Sequence, residues 1–407
     1  MSELPKIISV DDHVVEPGHI WTDRLPAKYL DIGPRIVRKK VSEMEFVGGV
    51  FSYREAGPDE DGTWCDWWFV EDLQWPMTRL TAAAGYPRDE VTLTPITMED
   101  MRPGCYDPTA RLADMDINHT EASLSFPNFP RFCGQTFLER ADRELGDLCV
   151  KAYNDWMFDE WCAGSGGRLI PLPLIQLWDA NLAAAEVRRS AARGGHAVCF
   201  SEIPPFLGLP SIHEVNGYWD PFFAACAETE TVVCMHIGSS SKMPSTSADA
   251  PAAVGSTLTY MNAAMSLTDF LMSGVFERFP TLTIAYSEGQ IGWIPYILER
   301  ADHVWLHNRA WGGVTQTVKR PPSEYYKEHV FGCFFEDAHG LRSLGELGVD
   351  TVTFETDYPH SDSTWPDTKA VAERLTKGLD EDTIYKLMRG NAIRMLHLDF
   401  DRDPAAA

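Results

Sequence analysis

Three short apolar runs in this chain end in residues that can bind metal. The first, Ile7-Ile8-Ser9-Val10, leads into Asp11-Asp12-His13. Side chains alternate along a strand, so Asp11 and His13 point to one face. A carboxylate and an imidazole on one face begin a site for zinc, manganese or iron. The second run, Thr231-Val-Val-Cys-Met, ends in His236 and then Ile-Gly. The third, Val352-Thr-Phe-Glu-Thr, ends in Asp357, with Tyr-Pro-His360 behind it. Each has a plainer reading. A chain with 60 acids and 12 histidines contains Asp-x-His by chance as a surface turn. His236 alone suits a core histidine bonded to backbone. Four ligand-type residues at three strand ends, in this order, argue together against coincidence.

Such residues need a frame that gathers strand ends. β-type runs recur at Ile7–Val10, Ala122–Phe126, Arg168–Leu172, Ala197–Phe200, Thr231–His236, Leu282–Tyr286, His329–Phe335 and Thr351–Thr356. Helical patterns lie between most of them: Phe137–Cys162, Ala180–Ala192, Asp220–Glu228, Thr257–Phe276, Ile291–Asn308, Ala338–Leu347 and Asp367–Lys377, with Asp380–Leu398 closing the chain. Strands alternating with helices indicate βαβ units and a parallel sheet. Eight of them predict an α/β fold of the (β/α)8 TIM-barrel type. An open doubly wound sheet is the alternative, but no Gly-x-Gly-x-x-Gly follows a strand. In a closed barrel the eighth strand adjoins the first, so Asp357 can approach Asp11 and His13 while His236 comes from across the mouth.

The predicted barrel takes residues 1–22 and 108–398, with 399–407 as a frayed tail. Residues 23–107 form a long insertion after the first strand. It carries Trp64, Trp67, Trp68 and Trp75, and Phe46–Tyr53 with Thr63–Val70 reads as a hairpin about the turn at Asp59–Gly62. An insertion there sits at the active-site end, as a lid or an oligomer contact. The stretch Ser239–Ser256, rich in Ser, Ala, Pro and Gly, reads as a mobile loop at the same end.

Composition narrows the partners. The formal net charge of −25 repels nucleic acid and anionic membrane surfaces, and no basic run offsets it. Nine cysteines, an odd number without a C-x-x-C pair, argue against a disulfide framework or a zinc ribbon and fit a reducing cytoplasm. The N-terminus lacks a signal-peptide pattern, and no apolar run is long enough to span a membrane.

Several segments together carry a resemblance. They are Val-Asp-Asp-His-Val-Val-Glu-Pro at 10–17, Val-Cys-Met-His-Ile-Gly at 233–238, Val-Phe-Glu-Arg-Phe-Pro-Thr-Leu at 275–282, Glu-Gly-Gln-Ile-Gly-Trp-Ile-Pro at 288–295, Glu-Thr-Asp-Tyr-Pro-His at 355–360 and Arg-Gly-Asn-Ala at 389–392. The chain resembles the amidohydrolase superfamily, in the branch that holds amino-carboxymuconate-semialdehyde decarboxylase and resorcylate decarboxylase. The likeness runs over nearly the whole chain. It implies Asp11 and His13 as first-strand metal ligands, His236 as the fifth-strand ligand, and Asp357 as a carboxylate that touches metal and serves as base. The chain departs from that pattern at the sixth strand, where Ser287-Glu288-Gly289 stands in place of a histidine before a Gly-rich turn. Glu288 is then a general base or a ligand of a second metal. Glu16 is a further candidate ligand, although a solvated loop acid is its plainer reading. His360 is a candidate acid/base or a residue that orients Asp357.

The expected function is that of a metal-dependent hydrolase or non-oxidative decarboxylase. Its substrate is expected to be a small carboxylate-bearing organic molecule. Asp357, His360 and Glu288 would do the acid–base work beside one or two divalent ions per chain, zinc or manganese by preference and iron as the alternative. A dinuclear iron or manganese oxygenase on the same fold, with Glu288 as the extra ligand, is a second expectation. A scaffold subunit of a related hetero-oligomer is a third. Trp64 and Phe335 are candidate substrate contacts, and Arg168, Arg320 and Lys319 are candidate carboxylate anchors. A homodimer or higher assembly is expected, possible also with a related chain.

Overall fold

In the computed structural model, residues 3–400 are described. Twelve strands are formed among them. We number them β1 (Ile7–Val14), β2 (Arg35–Val47), β3 (Val50–Glu55), β4 (Thr63–Val70), β5 (Leu73–Pro76), β6 (Thr120–Pro127), β7 (Leu169–Ile170), β8 (Ala197–Cys199), β9 (Val232–His236), β10 (Ile284–Ser287), β11 (Val330–Phe334) and β12 (Val352–Phe354). β1 and β6–β12 are parallel and correspond to the eight predicted barrel strands. Their residues are buried throughout, because helices cover the outer face and side chains fill the inside.

Two joints close the ring. Between β7 and β8, the Cys199 amide donates to Pro173 O at 3.0 Å. Between β12 and β1, Asp357 N donates to Asp11 O at 2.9 Å and His13 N to Tyr358 O at 2.6 Å. The second joint is tied by Asp12, whose side chain alternates away from those of Asp11 and His13. It is buried and accepts from Ser9 Oγ (2.9 Å), Thr356 Oγ1 (2.6 Å), Tyr358 N (3.1 Å) and Ser123 Oγ. One carboxylate thus links β1, β6 and the end of β12. The β1–β6 register slips between Ser9 and Asp12, a bulge that twists the strand where it enters the mouth. Behind it the fully buried Arg111 donates to His13 O at 2.6 Å and Gly104 O at 2.7 Å.

The helices correct the sequence reading in places. The stretch expected as one helix from Phe137 to Cys162 is broken into Gln135–Leu138 and Arg143–Trp156, followed by a wider turn through Trp161. The break has a tertiary cause. Glu71 of the insertion accepts the amides of Ala141 and Asp142, both at 3.0 Å, and Asp142 then caps the second piece through Leu145 N. The Thr257–Phe276 pattern divides at Gly274, whose φ of 74° stops the helix. Three helices were not foreseen, His19–Thr22, Pro108–Ile117 and Pro322–His329.

The insertion is a four-stranded antiparallel sheet in the order β3-β2-β4-β5. The predicted hairpin is wrong in its pairing. Phe46–Tyr53 is itself a hairpin, turning at Gly48 and Gly49 at φ 62° and 76°, and β4 pairs with β2 rather than β3. Each Gly has a reason beyond the turn, since a side chain at Gly48 would collide with the backbone of Ala248. The 239–251 segment thus lies against this turn, with Gly48 N donating to Ala250 O at 2.9 Å. From Ala252 the stretch expected as loop is helical.

Removing the Asp12 clamp exposes its cost. Asp12→Ala leaves buried donors on three strands without an acceptor, so we expect a loss of about 3 kcal/mol or more. Urea unfolding of the variant beside the parent measures it, and an unchanged midpoint would contradict the clamp.

Candidate metal centre

The mouth of the barrel is built from strand ends. Asp11 and His13 come from β1, His236 ends β9, Glu288 follows β10 and Asp357 follows β12. The chain turns sharply at the last two, where Glu288 and Asp357 sit at φ 59° and 52°. A side-chain-bearing residue is costly in this left-handed region, and such strain is retained chiefly at functional sites.

The ligand atoms of Asp11, His13, His236 and Glu288 all lie within 4.8 Å of one another, and so do those of His13, Asp357 and His360. His236 Nε2 is 3.4 Å from Asp11 Oδ2 and 3.0 Å from Glu288 Oε2. His13 Nε2 is 3.5 Å from Asp11 Oδ1 and 3.4 Å from Asp357 Oδ1. His360 Nδ1 is 3.2 Å from Asp357 Oδ1. Three ring contacts brace the imidazoles: His360 stacks on His13 at 3.5 Å, Phe132 stacks on His236 at 4.0 Å, and His13 meets His236 edge-on at 5.0 Å.

The electrostatics are one-sided. Both oxygens of Asp11 and of Asp357 are buried and accept no hydrogen bond. The Nδ1 of His236 faces Ile237 O at 2.5 Å and must donate to it, which leaves Nε2 as the ring atom aimed at two carboxylates. Burial, then the neighbouring acids, pushes the carboxyls of Asp11 and Asp357 well above the usual range. Burial holds His13 well below its ordinary value and His360 at about 3, so both rings are neutral. Oxygen and nitrogen lone pairs converge without a donor between them. A divalent cation supplies what the donor set lacks, and its Asp/His/Glu chemistry fits zinc, manganese or iron.

Beside the centre lies a cavity of about 380 Å³. His360, Asn128, Phe129 and Phe132 border it from the barrel, and Phe46, Phe51, Trp68 and Trp75 from the insertion. Trp68 stacks on Phe129 at 4.2 Å, joining the two parts. Arg131 and Lys242 supply the positive charge of its lining.

A chain-wide likeness accompanies this geometry. Residues 19–398 match the amidohydrolase family model. The chain belongs to the amidohydrolase family. It is an enzyme of that family on a (β/α)8 barrel. An amidohydrolase from Mycobacterium avium subsp. paratuberculosis shares its fold at a TM-score of 0.71 and 21% identity, covering 97% of this chain and all (100%) of that one. A 5-carboxyvanillate decarboxylase from Sphingomonas paucimobilis matches at 0.56 and 23%, over 77% and 86% of the two chains. A 5-carboxyvanillate decarboxylase from Novosphingobium aromaticivorans, complexed with manganese and 4-hydroxy-3-methoxy-5-nitrobenzoic acid, matches at 0.63 and 16%, over 98% and 100%.

Within this amidohydrolase, several sequence expectations need correction. Glu16 stands outside both ligand groups. Its carboxylate is turned to the backbone, accepting Asn128 N and Phe129 N at 2.9 Å each, and burial pushes it up to about 7. It is no solvated loop acid either. Trp64 is 56% exposed on the outer side of the insertion, beneath Lys40. Arg168 lies at the far end of the barrel, where it pairs with Asp116 and donates to Glu121 O and Thr120 O. Arg320 is paired with Glu328, and Lys319 donates to Gln316 O. Phe335 is half-buried and borders a different, larger cavity of about 760 Å³ on the other side of His360.

Sequence reading passed over Asp12, Asn128, Arg131, Glu202 and Glu355. A usable signal existed for two of them, since Asn128 and Glu202 each fall just past the end of a predicted barrel strand. Glu355 is buried directly after β12 and accepts Glu288 N at 3.0 Å. Glu202 fixes the start of the 239–251 segment by accepting Gly238 N (3.0 Å) and Ser240 Oγ (2.7 Å), and its second oxygen has no partner.

Burial pushes Glu202 up to about 7. Between an ordinary glutamate value of about 4.3 and about 7, the folded chain keeps a proton that the unfolded chain has lost. The stability this group contributes therefore falls as pH rises through that window. Glu202→Gln should gain on the parent by on the order of 3 kcal/mol from about pH 4 to about pH 8. Unfolding of the metal-free pair across this range tests it, and a constant difference would refute it.

Proposed function

We propose that this amidohydrolase is a metal-dependent enzyme that decarboxylates a small, apolar, carboxylate-bearing substrate without oxidation. The observation that carries the reading is the donor-free convergence of Asp11, His13, His236 and Glu288 beside an aromatic-walled cavity. Those four residues would hold one cation, manganese or zinc. Manganese is supported by its presence in the Novosphingobium decarboxylase, and the substrate class by the nitrobenzoic acid bound to that enzyme. When bound, the cation supplies positive charge to the oxygens of the substrate.

The chain's own residues do the rest. The apolar body lies between the insertion aromatics and Phe129, which exclude water. Arg131 and Lys242 offer charge to an anionic group. The carboxyl of Asp357, held protonated by burial and by its acidic neighbours, gives its proton to the carbon from which the carboxylate departs. The bond to the carboxylate breaks, its electron pair stays on that carbon, and the proton closes the valence. Solvent resupplies that proton to Asp357 between turnovers, and His360, in contact with Asp357, orients its carboxyl.

Hydrolysis is the second reading, and Glu288 favours it. A glutamate after the sixth strand cannot serve as a cationic clamp, but it can take a proton from water. The dinuclear oxygenase alternative draws no support from these structural neighbours.

Protein purified without added metal should carry about one equivalent of manganese or zinc, and chelation should abolish activity against a panel of aromatic carboxylates, with restoration on adding metal back. Asp357→Asn should lower turnover by at least about 10²-fold. Undiminished activity in either case would sink the site, and two equivalents including iron would favour the oxygenase.

The cavity wall makes a separate prediction. Phe51→Ala and Trp75→Ala should raise KM several-fold, roughly the effect of 1–2 kcal/mol of lost apolar contact. Trp64→Ala should leave KM unchanged. Equal effects of all three would place the substrate elsewhere.

A further inference from the structure

Asn128 follows β6 and reaches the one nitrogen of His360 that does not face Asp357. Its side chain has two partners. The amide nitrogen donates to Val14 O at 3.0 Å, and the oxygen lies 3.0 Å from His360 Nε2. Which end is which follows from chemistry, because a backbone carbonyl can only accept. The atom of Asn128 that faces Val14 O must be the NH₂ group. The atom that faces His360 must then be the oxygen, and His360 Nε2 must carry the hydrogen.

The orientation of Asn128 is itself held. Its amide and that of Phe129 donate to the two oxygens of Glu16 at 2.9 Å each, so the buried Glu16 fixes the turn that presents Asn128. The His360 ring is stacked on His13 and largely enclosed, which disfavours a second proton on it. With Nε2 protonated, Nδ1 is a bare lone pair, and it lies 3.2 Å from Asp357 Oδ1.

We infer that Asn128 is a positioning residue that locks His360 in its Nε2–H form and so aims the unprotonated Nδ1 at Asp357. This deepens the acid–base roles given to those two residues above, and it rests on that reading for its catalytic meaning. A neutral imidazole presenting a hydrogen at Nδ1 would compete with the reaction by donating to Asp357. The Nε2–H form can instead accept a hydrogen bond from the Asp357 carboxyl at Nδ1 and so hold its orientation. Only the oxygen of Asn128 enforces this form, and Glu16 acts on His360 solely through Asn128.

The test needs no substrate. Long-range ¹H–¹⁵N correlation on histidine-labelled, metal-free protein at neutral pH reads the tautomer of each ring, and His360→Gln assigns the His360 signals. We expect a protonated Nε2 and an unprotonated Nδ1 in the parent. Asn128→Leu, which keeps bulk and removes the acceptor, should raise the Nδ1–H share at least several-fold. Asn128→Asp restores an acceptor that is now charged, so it should keep the Nε2–H form and move its proton downfield. A merely structural role would give neither the switch nor the rescue. An Nδ1–H ring in the parent would overturn the inference. So would a tautomer indifferent to the leucine variant, or an Nε2 proton unmoved in Asn128→Asp, the arm that decides if the leucine variant fails to fold. These readouts stand even if the chain proves not to be a decarboxylase, in which case only the activity tests above fail.

Discussion

The structure is organised around buried, crowded carboxyl groups that accept no hydrogen bond. Asp11 and Asp357 are sealed from solvent with all four oxygens unpaired, and Glu288 adds a third carboxylate at 3.0 Å from His236. Burying even one such group uncompensated is expensive. The buried guanidinium of Arg111 nearby is spent on the backbone oxygens of His13 and Gly104. Among the described residues no hydrogen bond relieves the crowding of these acids, so its cost must be met by the rest of the fold and is recovered when a cation binds. Much of the surrounding architecture follows from that need. The β1–β12 joint, the Asp12 clamp and the left-handed turns at Glu288 and Asp357 all hold acids where they repel one another.

Division of labour between barrel and insertion is equally physical. Strand ends can present short polar side chains around a common axis, but they leave the mouth open. The antiparallel sheet of residues 35–76 carries a row of aromatics on the face that meets Phe129, and it is anchored by Glu71 on one side and the Gly48 turn on the other. The same sheet shows that alternation alone does not decide burial. Trp64 and Trp68 are four apart on one strand, yet one is 56% exposed and the other 2%, because β4 crosses from an open edge into contact with the barrel.

The frame and the ligand set were legible because they rest on short-range signals. Each barrel strand is an apolar run with a boundary, and Asp-x-His or a terminal His at such a boundary fixes position and facing together. What escaped the sequence depended on contacts between distant segments. The break after Leu138 needs Glu71, some 70 residues away along the chain. Glu16 was misread because a loop acid and a buried backbone acceptor look alike until the Asn128 turn is folded onto it. Trp64 and Arg168 were plausible by type alone, and type says nothing about which end of a barrel a residue occupies when it lies on an insertion or at a strand start. Asn128 and Glu202 had the right address but not a residue type that announces chemistry.

The three imidazoles of the centre are not equivalent, and the difference suggests how the site adapts. His236 has its Nδ1 committed to the carbonyl of the next residue, so Nε2 is the atom fixed towards the centre. His13 has no hydrogen bond at either nitrogen and is held by ring contacts and by the Arg111 grip on its backbone. Its tautomer is therefore left to whatever occupies the space between Asp11 and Asp357. A fixed Nε2 on one side and an adaptable ring on the other let one set of side chains tolerate both a bare and a charged centre.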